Sequence, residues 1–329
     1  MTITGQVGHL GAGRQDSQVA EADLATYVPT INDYFVVTSE SIVPNNAPLI
    51  ADGEIGRGRD RTGAIAGGYG ITGGWGGFAR VADLGVLLQM AMSDTPISPD
   101  GSTGVTTVNF TDYVDWWTIE RNVGDTLYVW YVNSKCNSLT ISVAANQIAT
   151  YTADFVITME RDISDEATPL YGTPHFAGDD LLAFHGGHLE IGGSQYSNME
   201  SVEVAIQNGL SNDEYTIHES RFLNNVTEGA RTIDLNFNQV FQTATDYSKY
   251  TYGQVGRTTP GYSMYEDSVY FLLMNAQSKA SASQYIEFFF PRVMFAGLPV
   301  NLTSGRIVVA NTGTVLMPNV GNIMTVKYK

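Results

Sequence analysis

The chain has 329 residues, with 17 Lys and Arg against 34 Asp and Glu, and a formal net charge of −17. So negative a protein is repelled by nucleic-acid phosphate, which excludes an adhesive nucleic-acid-binding role. A 43% hydrophobic, 16% charged composition rich in Gly and Tyr fits a folded, β-rich protein.

Residues 1–33 are small and polar and read as an arm. Strand text begins at 34–43 (YFVVTSESIV), and 44–64 reads as a long polar loop with Pro, Gly and most of the local charge. Residues 65–78 are glycine-rich but keep Tyr69, Ile71 and Trp75 on alternate positions. A helix is expected over 82–92, because Leu84, Leu87, Leu88 and Ala91 fall on one helical face, with Asp83 as its N-cap. Short strands are expected at 116–121, 126–132, 138–143 and 151–158. Residues 161–187 break the pattern and read as a linker.

Beyond it, 201–208 places Val202, Val204 and Ile206 on one face, and 232–241 places Ile233, Leu235 and Phe237 on one face with Asp234, Asn236 and Asn238 on the other. That is half-buried antiparallel sheet. Residues 209–230 form a second long loop, 244–253 a short helix, and 269–275, 284–290, 306–310 and 323–328 the closing strands. Both halves run strand, long loop, strand, helical segment, strands. The expected organisation is an arm (1–33), a first β domain (34–160), a linker (161–187) and a second, related β domain (188–329).

Motifs with chemical meaning are weak. Gly68, Gly70 and Gly73 match G-x-G-x-x-G, but a dinucleotide turn must open a helix, and the glycines that follow cannot. A strand against which another backbone crowds is expected instead. His175, Asp179, Asp180, His185 and His188 lie close in sequence without a spacing that fixes metal geometry. No nucleophile elbow or H-E-x-x-H appears, so no catalytic, cofactor or metal residue is assigned and no enzyme is expected. Cys136 is the only cysteine, which rules out an intrachain disulfide and a cysteine-based zinc site. The first residues lack a basic and an apolar signal region, and the longest apolar run, 288–300, is broken by Pro291, Arg292 and Pro299. A soluble product made in a cytoplasm is expected. Trp116 and Trp117, adjacent in a strand, must face opposite ways.

Residues 54–92 (EIGRGRDRTGAIAGGYGITGGWGGFARVADLGVLLQMAM) resemble the tail tube proteins of long-tailed bacteriophages: a loop, a glycine-rich strand, then a short helix carrying Leu84-Gly85-Val86-Leu87-Leu88. SVEVAIQNGL (201–210), TIDLNFNQVF (232–241) and QYIEFFFPRVMF (284–295) are similar to later strands of that family. The resemblance implies two tandem β-sandwich or barrel-like domains, each with a flanking helix. It implies rings, trimeric with pseudo-sixfold symmetry or else hexameric, that stack into a hollow virion tube conducting DNA along an acidic lumen. Implied partners are further copies of the chain, a tape-measure protein, and tail terminator and distal tail proteins. The equivalent long loops are then expected to reach the adjacent ring. Candidate contact residues are Arg57, Arg59, Arg61, Asp60 and Glu54 in the first and Asp213, Glu214 and Glu219 in the second. The profile also fits a tail-end ring component, a capsid decoration protein or a carbohydrate-active β protein.

Overall fold

The computed structural model describes residues 8–51, 63–93, 95, 97–124, 126–165, 174–176, 178, 180–217, 220–276, 278–300 and 306–329. In chain order these give β1 (His9–Arg14), β2 (Asp33–Phe35), β3 (Ser39–Glu40), β4 (Val43–Ala51), β5 (Gly63–Phe78), α1 (Val81–Met92), β6 (Thr106–Asn109), β7 (Trp117–Val123), β8 (Leu127–Ala144) and β9 (Thr150–Asp162). They continue with β10 (Gly187–Ile191), β11 (Ser194–Gln195), β12 (Met199–Gln207), β13 (Thr232–Val240), α2 (Ala244–Tyr252), β14 (Glu266–Met274), β15 (Tyr285–Phe295), β16 (Val308–Val315) and β17 (Thr325–Tyr328). The chain is mainly β, and its ladders are antiparallel and join into one sheet.

One layer runs β4-β5-β9-β8-β12-β13-β16 and so crosses from the first half into the second. The crossing depends on the length of β8. Along one edge it pairs first with β7, up to Ser134, and then with β12, from Ser138 to Ala144. A second layer hangs from the same long strands. β7 carries β1 and then β2, while β15 carries β14, β10 and β11 on one edge and β17 and β6 on the other. Leu10 and Ile119 of the second layer share a buried cluster with Ile71, Leu139 and Phe155 of the first, and it continues through Ile206, Leu235, Phe271 and Phe288. Trp75 stacks on Phe155 within it, with ring centroids 4.4 Å apart.

The pairing pattern occurs twice. The ladders β1–β2, β1–β7, β4–β5, β5–β9, β7–β8 and β8–β9 of the first half recur as β10–β11, β10–β14, β12–β13, β13–β16, β14–β15 and β15–β16. In each half the helix follows the second strand of the long hairpin.

Local physics explains where the expectations from sequence needed correction. Residues 9–14 belong to the sheet and not to an arm: β1 is buried from His9 to Gly13, but HLGAGR offers only one large apolar side chain, Leu10, so no alternation shows. Residues 43–51 form a strand and not a loop. Pro44 and Pro48 disguise it, and proline is tolerated there because β4 lies at an edge. The two strands expected at 126–132 and 138–143 are one, β8. It passes Asn133, at φ 55°, and a bulge between Cys136 and Ser138 without leaving the sheet.

The helix expected over 82–92 is α1, and Leu84, Leu87, Leu88 and Ala91 are buried as its spacing requires. Each of the large side chains contributes roughly 2 kcal/mol by leaving water. Arg80, not Asp83, occupies the N-cap position, and Asp83 sits in the first turn, where the helix dipole favours a carboxylate. α2 has the better ends: the Thr243 side chain accepts from the Asp246 N–H, and Gly253 closes the C-terminus at φ 81°.

Candidate functional site

The cross-halves layer has one face in the core and one face outward. Alternation along paired strands fixes which residues share the outward face: Thr150, Thr152 and Asp154 on β9; Ser138, Thr140 and Ser142 on β8; Ser201, Glu203 and Gln207 on β12; Asp234, Asn236 and Asn238 on β13; Ala310, Thr312 and Thr314 on β16. The residues named carry three carboxylates and no Lys or Arg, and farther along β8 the same side brings Lys135, opposite Val156 and paired with Glu228. The polar groups of this surface are largely engaged with one another. Ser138 Oγ donates to Asp154 at 3.1 Å, Asn236 Nδ2 to Glu203 at 3.0 Å, Asn238 Nδ2 to Ser201 at 2.8 Å, and Thr314 Oγ1 to Asp234 at 3.3 Å. Ser142 and Thr150 are bonded at 3.1 Å. Cross-strand pairs of this kind stiffen a sheet face and leave few donors for a passing anion.

The glycine run lies in β5 of this layer. Gly73 has φ +119°, and a Cβ at Gly74 would land on the Ala153 carbonyl oxygen of β9. The G-x-G-x-x-G spacing thus falls inside a strand whose neighbour's backbone presses against it, as the sequence suggested, and not at a strand-to-helix turn. From the second half, the Tyr215 ring lies across Gly68 and Gly70.

The junction of the halves is built from side chains the sequence reading did not single out. Asn208, at the end of β12, is buried; its amide donates to the carbonyls of Ala91 in α1 and Cys136 in β8, both at 2.9 Å, and its oxygen accepts from Arg231 at 3.0 Å. Lys135 of β8 pairs with Glu228 at 2.5 Å and lies 4.4 Å from the Trp116 ring centroid. Trp117 points the other way, into the core, as adjacency required. Leu223 and Val226 pack on Val156 of β9. A lone Asn after an alternating strand carries no sequence signal of such a role; only the register of β12 against β8 reveals it.

Two edges of the layer are open among the described residues. β4 pairs with β5 alone. β16 pairs with β13 along its length, but β15 reaches it only at Gly313–Val315 and Ala296 at Thr312, so among the described residues Val308–Asn311 has a free side. Both edges expose apolar groups: Val43 and Leu49 are 60% exposed and Val308 41%. Long exposed edges are pairing sites for another chain.

The candidate contact residues divide sharply. Glu54, Arg57, Arg59, Asp60, Arg61 and Glu219 lie outside the described residues. Asp213 and Glu214 lie in the 208–231 segment, which folds back over the first half: Arg221 Nε donates to the Gly67 carbonyl at 2.8 Å, and Phe222 meets Tyr69 edge-on. Within it Glu214 accepts from Ser211 Oγ and from the Thr227 N–H, and these bonds, Ser211 first, hold its carboxyl below the usual range. Of the His and Asp residues clustered in sequence, Asp179 is outside the described residues; His188 pairs with Glu190 at 2.7 Å, Asp180 accepts from Asn275, and His185 packs on Phe184. Among the described residues no group of three such side chains could hold a metal ion, and no helix is long and apolar enough to cross a membrane.

Residues 3–288 match the family model of the phage tail tube protein, so the chain belongs to that family. No curated protein matches it.

Proposed function

We propose that this member of the tail tube family is the repeating subunit of a hollow phage tail, with each chain supplying two wall domains. Three copies close a ring of six domains, and stacked rings form the tube through which DNA leaves for the host. Assembly takes place in the host cytoplasm, with a tape-measure protein in the lumen and terminator and distal tail proteins at the ends.

The observation that carries this reading is the layer β4-β5-β9-β8-β12-β13-β16, which joins two similarly paired halves edge to edge and, among the described residues, still ends in two open edges. A sheet that has already added one unit to another along its edge is built to add the next. Joining β4 of one copy to the β16 side of its neighbour closes the wall and removes both edges. The outward face then lines the lumen. Its carboxylates repel phosphate, and its amides, already bonded within the face, have few donors left to hold it, so DNA slides without adhering.

Between rings, Arg57, Arg59 and Arg61 meet carboxylates of the next ring, with Glu54, Asp60, Asp213, Glu214 and Glu219 as further contact residues. Electron microscopy of the purified protein tests the whole reading. Hollow tubes or stackable rings of three chains are expected, and replacing the three arginines by alanine shortens the tubes while the monomer stays folded. Monomers at every concentration, or particles without a central channel, sink the proposal.

A further inference from the structure

We propose that the surface formed by α2 and the turn after it is where the first half of a second copy seats. The inference rests on the ring reading above and assigns a surface that the sheet edges alone do not.

The argument starts from α1. Its N-terminal and C-terminal parts are both clasped by the second half of the same chain. The Tyr328 ring lies against Gly85, Gln89 Nε2 donates to Tyr328 Oη at 2.9 Å, and Asn208 caps the Ala91 carbonyl at 2.9 Å. Nine residues of α1 are buried, against β2, β6 and β8 of its own half as well as under this clasp. α1 is thus the helix on which the next wall unit seats, beside the β8–β12 joint.

α2 holds the corresponding place in the second half, between the β12–β13 hairpin and β14. It adjoins the open side of β16: Tyr250 packs on Phe295 with ring centroids 5.1 Å apart, and the neighbouring Ala296 N–H donates to the Thr312 carbonyl at 3.0 Å. Yet only Ser248 and Tyr250 of α2 are buried. Among the described residues, no further unit of the same chain covers α2 as the second half covers α1.

The turn that follows presents anchors. Val255 is 55% exposed, Met264 48%, and Tyr262 stands fully clear of the protein. The turn is held in shape, because the Gly261 N–H donates to the Tyr252 carbonyl at 3.1 Å and the Gly256 N–H to Ser248 Oγ at 3.1 Å. An aromatic side chain on a fixed backbone loses little freedom on binding, which is the character of an interface anchor. Charge selects the same occupant. Residues 244–265 carry Lys249 and Arg257 against one carboxylate, Asp246, in a chain of net charge −17. A second copy is the acidic partner that fits.

The test places a photo-crosslinking phenylalanine analogue at position 262 and mixes isotopically light and heavy protein under assembly conditions. Crosslinks from position 262 of one copy to residues 8–165 of another are expected. The double substitution Tyr262→Ala and Met264→Ala is expected to raise the concentration for half-assembly at least about tenfold with an unchanged melting curve. Crosslinks confined to the same copy, to the second half of another copy or to a different protein overturn this inference, as does unaltered ring formation by the double variant. In those outcomes wild-type rings still form and the ring reading stands. A wild-type protein that forms no rings overturns both.

Discussion

The two halves share a pairing frame but cover it differently. In the first half the outer face of β8, with Tyr128, Trp130 and Val132, is roofed by Val19, Leu24 and Tyr27 from the chain between β1 and β2. Arg161 fixes that roof by donating to the Tyr27 carbonyl at 2.6 Å. In the second half the corresponding connection is only Gly192-Gly193, and the outer face is covered by a smaller fold-back. Lys279 reaches Glu287 and lies 5.0 Å from the Tyr285 ring centroid. The helices differ likewise, α1 sunk between the halves and α2 at the margin. A sheet frame is specified by its ladders, and what covers it is free to follow each unit's place in the chain.

The largest test of that contrast lies in the sheet itself. The first half packs β5 through glycine, whereas β13 carries side chains at its outward positions. Gly74→Ala forces a Cβ onto the β9 backbone and is expected to cost about 3 kcal/mol or more in a denaturant melt. Asn236→Ala, which gives up the bond to Glu203, is expected to cost about 1 kcal/mol. Equal costs would remove the distinction between a glycine-packed and a side-chain-packed strand.

A second contrast concerns two histidine–carboxylate pairs in the outer layer. His9 and Glu120 meet at 3.0 Å with the Glu120 side chain fully buried, and Trp130 Nε1 donates to the same carboxylate at 2.9 Å. His188 and Glu190 meet at 2.7 Å with Glu190 35% exposed. Glu120→Ala strands two buried partners and is expected to cost about 3 kcal/mol. Glu190→Ala is expected to cost under about 0.5 kcal/mol. Comparable losses in thermal melts would show that the roof over the first half does not control the strength of the pair.

The smallest effect sharpens what the halves have in common. Burial, with Glu120 nearby, pushes the Tyr34 phenol up to about 12; burial, with Glu287 nearby, does the same to Tyr270. A phenol raised in the folded state ionises first in the unfolded chain. Stability therefore falls as pH rises from about 10, the unfolded value, towards 12. Tyr34→Phe and Tyr270→Phe are each expected to flatten part of that loss. A slope unchanged in both variants would assign the alkaline sensitivity elsewhere.

Much of the strand content was readable in the amino-acid order, because alternation is a local property. Val202-Val204-Ile206 and Ile233-Leu235-Phe237 announced half-buried strands, and the spacing Leu84, Leu87, Leu88, Ala91 announced α1. The glycine run announced a crowded backbone. β1 and β4 escaped, one for want of large side chains and the other because edge prolines imitate a loop. The outward polar face was only half legible. Asp234, Asn236 and Asn238 could be placed together along one strand, but Glu203, Asp154 and Thr312 join them through register across strands far apart in sequence.

The sequence by itself thus determined the β content, the acidic charge, the two helices and the repeated order of parts, all set by neighbours within a few residues. Tertiary structure alone decided that β8 would join β12, that Asn208 would lock the joint, and that α2 would be left uncovered where α1 is clasped. Those outcomes depend on which edges meet. Edge pairing joins backbone groups that every strand possesses, so the side-chain text does not spell out the partner.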